Sequence, residues 1–250
     1  MTVDTSLWVR RFHPVKEDAA RLVCFPHAGG SASYYFPVSQ ALSPAVEVLA
    51  IQYPGRQDRR TEPLIDDVHT LAAQIADNLG PWTDRPFALF GHSMGATVAY
   101  EVARLLEERG HRPLHLFASG RRAPSRYRDE NVHRLGDDGV IGEMKRLNGT
   151  DSQVLGDEEL LRMVLGAVRN DYKAIETYRH KVGPKLECPV TALVGDDDPK
   201  TTVEEAESWS WHTNGPFELG VYRGGHFYLN SHKTELLRRI TQQLTSVRKV

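Results

Sequence analysis

The stretch Phe87-Ala88-Leu89-Phe90-Gly91-His92-Ser93-Met94-Gly95-Ala96-Thr97-Val98-Ala99-Tyr100 decides the fold. It opens apolar and strand-like, turns tightly at one serine, and continues with apolar residues at helical spacing. A serine on so sharp a turn needs small residues two positions before and after it, and Gly91 and Gly95 stand there. A helix starting just beyond Ser93 aims free N–H groups and the positive end of its dipole at charge developing near the serine. An ordinary strand-to-helix turn needs glycine for the same geometric reason. The functional reading of Ser93 therefore depends on whether the remaining chain supplies a base and an acid.

A chain of 250 residues suits one sizeable α/β domain or two small ones. Hydrophobic content of 40% and charged content of 26% are those of a globular protein. A formal net charge of −2 gives no global attraction to nucleic acid or an anionic membrane. Cys24 and Cys188 each sit in or beside an apolar run, which points to buried free thiols rather than a disulfide. Residues 1–10 hold no apolar signal core, and no run approaches the length of a membrane span. The expectation is a soluble cytoplasmic monomer without membrane or nucleic-acid partners.

Outward from the serine turn, strands and helices alternate. Residues 21–26, 46–51, 114–118, 190–194 and 217–222 read as strands, with a short edge strand within 7–13. Residues 68–79, 94–109 and 233–247 read as helices, the second stopped by Gly110. Such alternation implies a doubly wound, mostly parallel sheet with catalytic groups at the carboxyl ends of its strands. The rhythm breaks between Ser119-Gly120 and Val190. Helical stretches at 138–147 and 158–178 make the segment at about 121–185 an insertion over the strand ends, a helical lid on a single domain spanning 1–250. Its apolar residues Ile141, Met144, Leu147, Leu160, Leu161, Val164, Leu165 and Val168 would line an acyl-binding chamber.

Gly91-His92-Ser93-Met94-Gly95 resembles the G-x-S-x-G nucleophile elbow of α/β-hydrolases. A serine hydroxyl needs a general base held in the right tautomer by a third group. His226, in Arg223-Gly224-Gly225-His226 after the strand at 217–222, stands where this fold's order of serine, acid and histidine expects the base. His27 and His92 read as structural or hydrogen-bonding residues. For the acid, Gly195-Asp196-Asp197-Asp198-Pro199 leaves three aspartates open. Asp198 fits the fold's G-x-x-D habit, with Asp196 or Asp197 left to support the turn or cap the following helix. Pro26-His27-Ala28-Gly29-Gly30 resembles the loop that supplies one oxyanion-hole N–H, small residues letting the backbone approach a substrate carbonyl, with a plain flexible turn as the lesser alternative. Neither metal-ligand spacing nor a phosphate or dinucleotide fingerprint is present, so no metal or cofactor is expected.

Together these pieces, with Tyr53-Pro54-Gly55-Arg56 and Gly224-Gly225-His226-Phe227, resemble the type II thioesterases that accompany modular polyketide synthases and nonribosomal peptide synthetases. The match runs in order over about residues 20–245. The resemblance implies a hydrolase that frees the phosphopantetheine arms of acyl or peptidyl carrier proteins from stalled or wrong acyl groups. Ser93 would be the nucleophile, His226 the base, Asp198 its orienting acid, and the N–H groups of Met94 and Ala28 the oxyanion hole. An acidic carrier protein would be steered by Arg121, Arg122, Arg126 and Arg128 on a solvated lid edge, or by Arg56, Arg59 and Arg60. Three other readings compete: a carboxylesterase, an acyltransferase such as a terminating domain cut from its synthase, and a catalytically silent carrier-binding module. The chain's own start and lack of an obvious tether weigh against the second, and the serine, aspartate and histidine set against the third.

Overall fold

The computed structural model describes residues 7–147 and 158–246. Seven strands form one sheet: β1 (Val9–Arg10), β2 (Ala20–Phe25), β3 (Val46–Ile51), β4 (Phe87–His92), β5 (Leu116–Ser119), β6 (Val190–Gly195) and β7 (Phe217–Tyr222). Their order is β1-β3-β2-β4-β5-β6-β7. Among the described residues only the β1–β3 strand pairing is antiparallel; the other five are parallel. The expected α/β class with a mostly parallel, doubly wound sheet is what the chain adopts. The chain runs outward from β2 to β3 and then returns to place β4 on the far side of β2. The crevice for a ligand therefore opens between the carboxyl ends of β2 and β4, where Phe25 pairs with Gly91.

The helices are α1 (Phe36–Leu42), α2 (Val68–Leu79), α3 (Met94–Glu108), α4 (Asp137–Leu147), α5 (Glu158–Thr177), α6 (Val203–Glu207) and α7 (Lys233–Ser246). The central strands β2, β3, β4 and β6 are buried along their whole length, as a sheet covered on both faces requires. On one face α2 and α3 pack Leu71, Ile75, Val98 and Val102 against Leu49, Leu89 and Leu116. On the other, α1 and α7 pack Leu42, Leu236 and Ile240 against Leu22, Val48 and Phe90. Each fully buried side chain of this kind contributes about 1.5–3 kcal/mol.

The helix expected over 94–109 ends at Glu108, and Gly110 follows with φ +84°, the left-handed position that closes a helix. Two short helices, α1 and α6, had no periodic signal long enough to read; Pro37 opens the first and the Thr202–Glu205 capping box the second. Capping of α6 therefore falls to Thr202, not to Asp196 or Asp197. Between β5 and β6, α4 and α5 carry a small core of their own, with Val140, Met144, Leu161, Leu165 and Val168 packed together and against Ala28. The side chain of Leu160, residues 148–157 and residue 247 lie outside the described residues.

Candidate active site

Ser93 occupies the turn between β4 and α3 with φ +55° and ψ −123°, a strained conformation for a residue with a side chain. Close approach keeps it there. A Cβ on Gly95 would lie 2.1 Å from the carbonyl oxygen of Phe25, and one on Gly91 2.1 Å from that of Gly95. Both glycines are thus spatial necessities of the turn. Ser93 N donates to Ser119 O (2.8 Å), tying the elbow to the end of β5.

His226 reaches the serine from the loop after β7. Its Nε2 lies 3.0 Å from Ser93 Oγ, and its Nδ1 lies 3.0 and 2.9 Å from the two carboxylate oxygens of Asp198. Asp198 Oδ1 also accepts the Lys200 N–H at 2.8 Å, which turns the carboxylate inward. Both His226 and Asp198 are buried, while Ser93 is partly open. Of the other two aspartates, Asp196 accepts the N–H of Gly224 (2.7 Å) and pins the histidine loop to the acid loop. The side chains of Asp196 and Asp197 are exposed, away from the histidine. The structure thus brings Ser93, His226 and Asp198 together.

Ala28 and Met94 flank the serine from the loop after β2 and the first turn of α3. Among the described residues neither N–H donates to a protein acceptor, so both are open to a ligand. His92 sits beneath His226, ring centroids 5.0 Å apart, and its Nδ1 pairs with Ser119 Oγ (3.0 Å), which in turn meets Tyr228 OH (2.6 Å). Burial first, and the neighbouring His226 second, hold the His92 imidazole well below its ordinary value. Half-buried His27 is pushed down to about 4 for the same two reasons, desolvation leading. Two neutral rings therefore border the one histidine that faces the serine.

Above the serine a cavity of about 370 Å³ is walled by Met144, Leu147, Val164, Val168 and Tyr172 of α4 and α5 and floored by Ser93, His226 and the 27–30 loop. Of the apolar residues expected to line it, Met144, Leu147, Val164 and Val168 do; Leu161 and Leu165 instead fill the core of the inserted segment, with Ile141 packed against it.

One partnership was hidden from sequence reasoning. The Arg56 guanidinium grips Asp171 of α5 with two hydrogen bonds of 2.7 and 2.8 Å, and Asp171 Oδ2 also accepts the N–H of Gly29 at 2.8 Å. Arg56 Nη1 donates as well to Gly30 O (3.1 Å), and Tyr53 OH to Pro26 O (3.1 Å). The Tyr53-to-Arg56 loop and helix α5 together clamp the loop that carries Ala28. Only the presence of an arginine in a Pro-Gly loop hinted at this, since its partner lies 115 residues away.

This geometry corrects the expected arginine clusters. Arg56 is buried on Asp171, and Arg59 is buried in a fork to Glu62 and over the Trp8 ring. Arg121 is buried, and so is Arg122, paired with Glu130. Four of the seven arginines are therefore interior and cannot steer a partner. Arg60 and Arg126 are exposed, and half-buried Arg128 pairs with Glu205. Among the described residues no cluster of side chains could hold a metal ion, and no helix is long and apolar enough to cross a membrane.

A family model described as a thioesterase domain matches residues 20–244. A probable cadicidin biosynthesis thioesterase of Streptomyces griseus is 56% identical over 95% of this chain, which spans 66% of that protein's length. Thioesterase PikA5 of Streptomyces venezuelae is 53% identical, over 99% of this chain and 89% of its own. The structure of the type II thioesterase BorB from the borrelidin biosynthetic cluster superposes with a TM-score of 0.91 at 51% identity, covering 95% of this chain and 98% of that one.

Proposed function

The chain belongs to the thioesterase domain family, with an α/β-hydrolase-like fold and hydrolysis of thioesters as its chemistry, and from that premise we propose that it releases acyl groups from the phosphopantetheine arm of acyl or peptidyl carrier proteins. The observation that carries the chemistry is His226, with one ring nitrogen 3.0 Å from Ser93 Oγ and the other on Asp198. In this reading Ser93 Oγ attacks the thioester carbonyl while His226 Nε2 takes its proton. Asp198 keeps Nδ1 protonated and stabilises the imidazolium. The oxyanion rests on the N–H groups of Ala28 and Met94, each such donor accounting for about 10²–10³ in rate. Imidazolium returns the proton to the departing thiolate, and water then repeats the sequence on the acyl-serine. Nucleophile, base, acid and donors all come from the chain, so the cycle calls for no cofactor.

The apolar walls above Ser93 suit an acyl chain, and α4 with α5 would act as the lid that selects it. We read the protein as a single domain spanning 1–250 with its lid at about 121–185, a cytoplasmic monomer that edits stalled or aberrant chains in polyketide or nonribosomal peptide synthesis. That role accords with the cadicidin and borrelidin biosynthesis named for two of its relatives. The test is mass spectrometry of a panel of acyl-loaded carrier proteins exposed to wild type and to Ser93→Ala. Loss of acyl groups with wild type alone supports the reading. Equal rates for the two proteins, or a strong preference for simple oxygen esters over carrier thioesters, would refute it.

A further inference from the structure

Beyond the acyl cavity, at the C-terminal end of α5 where Ile175 and Glu176 line it, lies a second cavity of about 270 Å³. The Arg121 side chain lines it and is 93% buried by residue area, the residue itself retaining only 7% exposure. Among the described residues its guanidinium has neither a hydrogen-bond acceptor nor a carboxylate in salt-bridge range. Its neighbours are otherwise engaged: Arg122 on Glu130, Arg128 on Glu205, and Arg126 on Ser208 Oγ and over the Trp211 ring. Glu176, the carboxylate of the cavity wall, is taken by the backbone N–H groups of Val132 and His133. Desolvation first, then Arg122, push the Arg121 guanidinium down to about 9. A charge withdrawn from water without a partner costs several kcal/mol, and proteins ordinarily supply one. Here Glu130 and Glu205 act on Arg121 without contacting it, and its guanidinium stays open to the cavity.

Placement links this cavity to the chemistry. Arg121 follows Gly120, on which a Cβ would lie 2.5 Å from the His92 ring and 3.5 Å from the His226 ring. Thr97, on the cavity wall, stands one helical turn after Ser93 on α3. Ile175 and Tyr178 give the cavity apolar flanks beside its cation. It is roomier than a bare oxyanion needs, so it suits an anion attached to an organic body.

We propose that this cavity is an anion-binding site in which Arg121 receives a phosphate-class oxyanion borne on an organic arm. Resting on the function proposed above, the phosphate of the substrate's own phosphopantetheine is the occupant; inorganic phosphate shares its chemistry and serves as the probe. Guanidinium matches phosphate by paired N–H donors, and the low dielectric of the cavity strengthens the contact.

Two measurements on wild type, Arg121→Gln and Arg121→Lys test it. In the first, thermal melting is followed in inorganic phosphate against chloride at equal ionic strength. Phosphate should raise the wild-type melting temperature by a few degrees and leave Arg121→Gln unmoved. In chloride that variant should melt no lower than wild type, since it removes a buried charge without a partner. In the second, KM is compared for one acyl group on pantetheine and on 4′-phosphopantetheine. Wild type should favour the phosphorylated form by about tenfold or more, Arg121→Lys should keep part of the preference, and Arg121→Gln should bring the ratio near one. Equal phosphate protection of wild type and Arg121→Gln would overturn the site. Protection of wild type with no KM preference would keep the site and overturn the arm as its occupant. If neither thioester is hydrolysed, the thioesterase reading fails while the melting series still decides the site.

Discussion

Three consecutive aspartates follow β6, and the structure gives each a different setting. Asp198 meets His226, Asp196 holds the Gly224 N–H, and Asp197 projects into solvent. Asp198→Asn should lower kcat by about 10³–10⁴, because an amide that donates to Nδ1 favours the wrong tautomer of His226. Asp197→Asn should leave kcat within twofold of wild type. Asp196→Asn keeps an oxygen for the Gly224 N–H and should fall between the two. Steady-state kinetics on a soluble acyl thioester separates the three; a larger loss at Asp197 than at Asp198 would reassign the acid. Ser93 and His226 were legible beforehand because their signals are local: glycines two residues either side of the serine, and a glycine pair before the histidine. The choice among aspartates was not, since it depends on which way the loop turns. That turn is set by the N–H of Lys200 on Asp198 and of Gly224 on Asp196, one of them from a different loop.

Among elements, α5 is the one whose position bears most directly on the 27–30 loop. Its Val168 sits so close that a Cβ on Gly29 would lie 2.6 Å from Val168 Cγ2, and its Asp171 accepts Gly29 N–H while paired with Arg56. Asp171→Asn keeps an acceptor for Gly29 but leaves Arg56 charged in the interior without a counterion, held by Gly30 O. It should destabilise the protein by about 3–5 kcal/mol and lower kcat more than it raises KM for a short acyl thioester. Denaturant midpoints and kinetics measured on the same preparations check both parts; unchanged kcat with lowered stability would show that the pair holds the fold and not the loop. The helices α4 and α5 were readable from their periodicity. Their burden was not, because amphipathic spacing reports that a face is buried without saying against what. Arg56 looked like a surface charge in a Pro-Gly loop for the same reason.

At the scale of the whole molecule, buried imidazoles set the acid limit. Burial pushes both His115 and His212 down to about 4, against an ordinary value of 6.5. Unfolding exposes them to protonation at the higher value. Their contribution to stability is therefore whole above about pH 6.5 and is lost as pH falls toward 4, at ~1.4 kcal/mol per pH unit for each imidazole. The melting temperature should fall progressively between pH 6.5 and 4.5. His115→Gln, whose amide can still meet Thr191 Oγ1, should flatten that slope by one proton's worth. Melting curves at four or five pH values decide it; an unchanged slope would mean that His115 does not titrate differently on unfolding. The sheet that buries these rings was visible as strand-like runs, and its mostly parallel, doubly wound class followed from alternation with helices; its strand order did not. Nothing local marked His115 as interior, since its place within the strand-like run 114–118 does not say which side of the sheet is covered.

The Arg56–Asp171 clamp joins the body of the protein to its inserted segment, and this bears on how new specificities can be built. An engineer who exchanges residues 121–185 for those of a relative, seeking a different acyl preference, also exchanges the counterion of a buried arginine in the recipient. A graft that brings no carboxylate to that place strands the charge and releases the loop that holds Ala28. Such chimaeras should be designed with residues 53–56 and the α5 donor taken from one parent, treating two distant stretches as a single exchangeable unit.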